Sequence, residues 1–312
     1  MGDKIATRDA YGKALLRLGA ENPDVVVLDA DLSKSTKTAG FAKEYPDRFF
    51  QMGIAEADMI STAAGLATAG KIPFASTFAV FAAGRAYDQV RNSVGYPHLN
   101  VKIAATHAGI TVGEDGASHQ MIEDITLMRA IPGMVVLSPA DAVETEQLVY
   151  AAARYQGPVY IRLGREPLNV IFPTDYQPEI GKAVTLREGD AATVCATGVM
   201  TEKALIAAEQ LAQAGIQIKV LNIHTIKPLD EAAIIAAARA TGAIVTAEEH
   251  NFMGGLSGAV AEVVVRNAPV PMEFVAVQDR FGQSGKPAVL MEEYGLTAEA
   301  IVNAVKKVID RK

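Results

Sequence analysis

Short, continuously apolar runs alternate along the chain with longer Ala- and Leu-rich stretches of helical spacing. The runs are VVVLDA from Val25, KIPFASTF from Lys71, NVKIAATH from Asn100, GMVVLSP from Gly133 and PVYIRL from Pro158. Strands buried on both faces read this way, because neither face alternates toward water. Between them TRDAYGKALLRLGA, EADMISTAAGLATAG, GRAYDQVRNSV and DAVETEQLVYAAARY have the apolar spacing of helices. Such alternation predicts a parallel sheet covered by helices on both sides, a doubly wound α/β fold.

The pattern pauses at PTDYQPEIGKAVTLREGD, from Pro173 to Asp190, where Pro, Gly and charged residues cluster. It then resumes with ATVCATG, IKVLNIH, AIVTAEEH and MEFVAVQ as strands, separated by helices, and closes on the helix TAEAIVNAVKKVID. Two α/β domains with mainly parallel sheets are therefore predicted, residues 1–175 and 190–312, joined by a linker over 176–189.

Composition narrows the function classes. Of 312 residues, 50% are hydrophobic and 21% charged, enough for a sizeable core and incompatible with wholesale disorder. The lone Cys195 rules out a disulfide framework or an iron–sulfur cluster held by this chain alone. The start MGDKIATRDA has no apolar signal region and no long uncharged apolar run follows, so no membrane is expected and a cytoplasmic location is. A net charge of −7 with no basic block argues against a nucleic-acid partner. No G-x-G-x-x-G, Walker or G-x-S-x-G motif supports a dinucleotide, P-loop or hydrolase reading.

In open parallel sheets, ligands bind beyond the carboxyl ends of the strands. The residues that follow each strand there are Asp31, Ser33 and Ser35, then Glu56 and Asp58, then Phe78 and Phe81. Next come His107, Glu114, Asp115 and His119, and finally Arg165. Glu56 opens a helix, where an acid either balances the macrodipole or shares a proton with a ligand nitrogen. The GEDG turn from Gly113 is either an ordinary acidic turn or a close approach to a ligand. Arg8, Ser35 and Arg165 together suit a phosphate, although each alone also suits a surface. The second domain offers only EEHNFMGGLSG at such a position, with His250 undecided; His98 and His224 read as structural.

Taken in order, ATRDAYGKAL, LDADLSKST, MGIAEADMISTAAGLA, STFAVF, THAGITVGEDGASHQMIEDI, LMRAIPGMVVLSPAD and YIRLGRE resemble the C-terminal portion of a transketolase. The resemblance covers nearly the whole chain, as a thiamine diphosphate pyrimidine-binding domain followed by a transketolase C-terminal domain. It implies a transferase that moves a two-carbon ketol unit between sugar phosphates in carbohydrate metabolism. By that resemblance Glu56 hydrogen-bonds N1′ of the aminopyrimidine, Phe78 and Phe81 pack on its ring, and Asp31 lies near the thiazolium and a subunit contact. His107 and His119 contact substrate hydroxyls and phosphate and move protons, Asp115 contacts the sugar hydroxyl chain, and Arg8, Ser35 and Arg165 join His107 at the phosphate.

The chain departs from the family pattern at Ala55, Ala57, Gly84 and Ala108, which bears on substrate contact and not on the glutamate. It also lacks the G-D-G and Asn that hold the cofactor diphosphate through a divalent metal. Its nearest approach, GDA at Gly189 with Asn222, precedes a strand where the motif follows one, and ends in Ala191. The metal, Mg2+ or Ca2+, and the diphosphate are accordingly expected on a partner, the N-terminal subunit of a split transketolase in an α2β2 assembly, with no metal site in this chain. Three alternatives stand beside this reading. They are the β subunit of a 2-oxoacid dehydrogenase E1 component, half of a 1-deoxyxylulose-5-phosphate synthase-like enzyme, and a partner that kept the fold and lost the activity.

Overall fold

In the computed structural model, which describes residues 4–312, the alternation resolves into two large sheets. The first orders its strands Thr225–Lys227, Val135–Leu137, Val159–Arg162, Lys102–Thr106, Ile72–Phe78, Val25–Asp29 and Phe49–Gln51. All its pairings are parallel except that of Thr225–Lys227 with Val135–Leu137. The second runs Met272–Val277, Ile244–Asn251, Thr193–Ala196, Lys219–Asn222 and Val184–Arg187, with only the last antiparallel. The doubly wound α/β architecture is present in both halves.

Local chemistry accounts for the helices that matter. Thr7–Glu21 buries Ala10, Tyr11, Ala14, Leu15 and Leu18, one face at three- and four-residue spacing. Ala142–Arg154 starts on Asp141, whose carboxylate accepts from the Glu144 N–H at 2.8 Å, while the Glu144 side chain reaches back to the Ala140 N–H at 2.7 Å. Those bonds satisfy one open donor of the first helical turn and one of the residue leading into the cap. No helix among the described residues is long and apolar enough to cross a membrane.

The structure corrects the sequence reading in three places. Val184–Arg187 is a strand inside the stretch expected to be linker; it lies at the sheet edge, where one side needs no apolar cover. Thr225–Lys227, from the second half of the chain, crosses to pair in the first sheet. One continuous apolar core consequently holds Leu28, Ile103 and Val136 together with Cys195, Leu221, Ile226 and Val260. Third, residues 84–94 are not one α-helix: Val80–Arg85 and Val90–Gly95 are π-helical about a short α turn, Tyr87–Gln89. Buried Ala82, Ala86, Val90 and Val94 recur every four residues. An α-helix would rotate each about 40° further off one face, and the wider π turns absorb that excess.

Candidate active site

The strand ends of the first sheet bring the predicted groups onto one rim. Glu56 opens the helix Glu56–Thr68 and is only 2% exposed. Arg85 Nη1 lies 2.9 Å from each of its two carboxylate oxygens, and the guanidinium covers the Phe81 ring at 4.4 Å. A buried carboxylate needs such compensation, here from a half-exposed cation and the helix N-terminus.

Phe78 ends its strand and Phe81 sits in the first π turn. Their rings lie 5.9 Å apart and 11° from parallel. His107 stacks on Phe78 at 3.8 Å, and His119 meets both phenylalanines edge-on at 6.3 and 5.7 Å. Next to the buried acid there is thus a wall of flat rings carrying two imidazoles.

The tautomer of His107 follows from its partners. Arg8 Nη1, which can only donate, lies 3.0 Å from Nε2, so Nε2 accepts. The proton therefore resides on Nδ1, 2.9 Å from the Thr106 hydroxyl. Burial, reinforced by Arg8, Arg165, His119 and Lys37, pushes the His107 pKa down to about 3, and the ring is neutral at physiological pH.

A short antiparallel ribbon, Ile5–Ala6 with Pro167–Leu168, brings the two arginines together. It is reinforced by the Gly164 N–H donating to Thr7 Oγ1 at 2.7 Å. Arg8 Nη1 also donates to the Ser35 carbonyl at 3.1 Å, and Arg165 donates to Val112 O at 2.8 Å and to Asp115 at 3.5 Å. Ser35 thus meets Arg8 through its backbone carbonyl. Asp31 lies exposed at φ +64°, with its N–H donating to Gln51 Oε1. The acid organising that loop is the fully buried Asp29, which accepts from Leu32 N–H and from the Thr36 and Thr38 hydroxyls.

The family profile for the transketolase pyrimidine binding domain matches residues 3–170, and that for the transketolase C-terminal domain matches residues 181–301. The chain belongs to the transketolase family. It is 50% identical over 301 residues to a putative transketolase C-terminal section of Methanocaldococcus jannaschii, covering 96% of this chain and 94% of that one. It is 45% identical over 305 residues to the 6-deoxy-6-sulfo-D-fructose transketolase subunit SqwH of Clostridium sp. (strain MSTE9), covering 98% and 95%. A solved structure described as a split gene transketolase, inactive beta4 tetramer, superposes with a TM-score of 0.92 at 55% identity, covering 99% of this chain and 100% of that one. Against longer transketolases the chain spans about half their length.

Within this transketolase chain the G-D-A segment has a packing role. A Cβ on Gly189 would fall 2.3 Å from the Ile218 backbone. Asn222 is buried, its amide donating to Glu144 and its oxygen accepting from Thr201. Among the described residues no group of three or more His, Cys, Asp or Glu side chains stands in a metal-holding arrangement. His250, undecided from sequence, accepts from the Ile125 N–H through Nε2 and faces Asn251 O through Nδ1, a structural role. At Gly84, one of the departures from the family pattern, a Cβ would meet nothing within 4 Å.

Sequence reasoning missed Arg85, Lys37, Asp29 and Glu249. Arg85 had a signal, its four-residue spacing from Phe81; Asp29 had another, an acid ending an otherwise apolar strand.

Proposed function

We propose that this chain is the C-terminal subunit of a two-subunit, thiamine diphosphate-dependent transketolase that moves a two-carbon ketol unit between sugar phosphates. One observation carries the reading: Glu56 is a buried carboxylate beside the parallel Phe78 and Phe81 rings, with two imidazoles on the same wall. A flat heterocycle with one basic ring nitrogen fits a flat apolar wall and a buried acid. The diphosphate and its metal belong on an N-terminal partner subunit, two of each chain forming the cytoplasmic enzyme; in support, the G-D-A segment at Gly189 is taken up by packing against Ile218.

Thiamine diphosphate, when bound, supplies the nucleophilic carbon and the electron sink for the two-carbon unit. The chain's own residues do the rest. Glu56 would hold the aminopyrimidine through its ring nitrogen, sharing a proton at the carboxylate oxygen. Phe78 and Phe81 fix the ring plane. Neutral His107 offers Nε2 as an acceptor once Arg8 turns to substrate, and His119 stands across the wall as the second proton carrier. Arg8, Arg165 and Lys37 gather positive charge for the anionic end of the sugar, with Asp115 at its hydroxyls.

Co-purification with the N-terminal subunit, followed by a screen of ketose donors and aldose phosphate acceptors, tests the reading. Two-carbon exchange by the pair supports it. Turnover of pyruvate with lipoamide selects the 2-oxoacid dehydrogenase reading instead, and an assembled but inert pair selects the non-catalytic one. The Clostridium relative's name adds a specific donor to the screen, because the same cationic cluster suits a sulfonate.

A further inference from the structure

The Glu248–His250 segment ends the strand Ile244–Asn251 of the C-terminal domain, and its three side chains part ways. Glu248 caps the helix Leu256–Asn267, accepting from the Leu256 and Ser257 N–H groups, each at 2.7 Å. His250 accepts from the Ile125 N–H at 3.2 Å. Glu249 enters the histidine loop of the first domain. Its Oε1 accepts from the Thr111 N–H at 2.7 Å, and its carboxyl lies so close to Gly109 that a Cβ there would sit 2.2–2.4 Å from its atoms. Arg162 pins the same residue from below, donating to the Glu249 carbonyl at 2.9 Å and to Asp124 through Nε.

The loop that Glu249 grips is under backbone strain. His107 has φ +58° and Gly109 φ +83°; the first is uncommon for a residue with a Cβ and persists only where its surroundings enforce it. The far end of the loop is held by the same domain. Gln120 Nε2 donates to Gln283 O at 2.9 Å, and Ser284 Oγ donates to Glu114 O at 2.6 Å. A buried carboxylate is a costly way to fill space, and burial does push the Glu249 pKa up, offset by Arg162 and Thr111.

We propose that Glu249 is a positioning residue: through its carboxylate the C-terminal domain holds the 107–111 loop so that His107 is presented to Phe78, Arg8 and the substrate. The inference rests on the ketol-transfer reading of His107.

The test uses Glu249→Ala and Glu249→Gln in the complex with the N-terminal subunit. Glu249→Ala is expected to lower kcat/KM for sugar phosphates on the order of 10- to 100-fold. Thiamine diphosphate affinity, read by fluorescence quenching, falls far less than kcat/KM, because Glu56 and Phe81 lie on other elements and Phe78 meets the loop only through His107. Glu249→Gln keeps an acceptor for the Thr111 N–H and recovers most of the loss. An activity-independent readout is the His107 ring, followed by NMR in the full chain. Its pKa rises from about 3 toward 6.5 in Glu249→Ala as the loop loosens. The groups facing it, Arg8, Lys37, His119 and Arg165, are unchanged in both variants. Unaltered kcat/KM and His107 titration in Glu249→Ala overturn the proposal, as does equal loss of cofactor affinity and turnover. If the wild-type pair transfers no ketol unit, the functional reading fails while the His107 titration still decides the positioning claim.

Discussion

Arg85 Nη1 sits 2.9 Å from both oxygens of Glu56, and the guanidinium lies over Phe81. The acid of the site is therefore paired before any heterocycle arrives. At the proposed thiamine site, an arriving aminopyrimidine would exchange one partner for another and leave no bare charge buried.

Arg85→Met should reveal that pairing as stability. The buried Glu56 would be left without its guanidinium donor, and the chain should lose about 1–3 kcal/mol, at the modest end because half of Arg85 faces solvent. Urea unfolding of the single variant and of Arg85→Met with Glu56→Gln checks this. The double variant should recover most of the loss, and an Arg85→Met chain as stable as wild type would contradict the pairing.

Two histidines set an acid limit. Burial holds His107 near pKa 3 and His224 near 4, both below the ordinary 6.5. The unfolded chain thus binds more protons than the folded one as pH falls below about 6.5. The stability these groups contribute is full above pH 6.5 and is lost as pH falls through 4 toward 3. His224→Gln should flatten the upper part of that decline in a pH series of denaturation midpoints; an unchanged profile would show that His224 is not held neutral.

Arg8 and Arg165 should act on the charged end of the substrate. Arg165→Met is expected to raise KM for a phosphorylated ketose about 10-fold or more, with much less effect on an unphosphorylated analogue. Equal effects on both sugars would remove Arg165 from the anion site.

The join between the two sheets carries its own test. Asn222 links Thr201 to Glu144 across it, at 3.0 and 2.7 Å. Asn222→Ala leaves both partners short of a hydrogen bond and should cost about 1–3 kcal/mol. Because one core spans the sheets, calorimetry should still record a single transition at a lower Tm; two separated transitions would show independent domains.

Much of this site was legible because parallel strands place chemistry at their carboxyl ends. Glu56, Phe78, His107 and Arg165 each follow an apolar run, and counting from its end finds them. Arg85 was hidden because the helix read from Gly84 left Phe81 outside it, whereas Val80–Arg85 is one helical segment that sets the two side chains four residues apart on one face. Glu249 was hidden by distance, since its partner Thr111 lies 138 residues earlier. The edge strand Val184–Arg187 escaped because a half-exposed strand flanked by Pro and Gly has no apolar run to find.

The central claim is that Glu56 works as an acid held against a bound heterocycle, and Glu56→Gln in the complex with the N-terminal subunit tests it most directly. The amide keeps the volume and removes the shared proton. The account predicts an assembled, folded complex whose two-carbon transfer rate falls by roughly 100-fold or more. Near-normal turnover by that complex would contradict it.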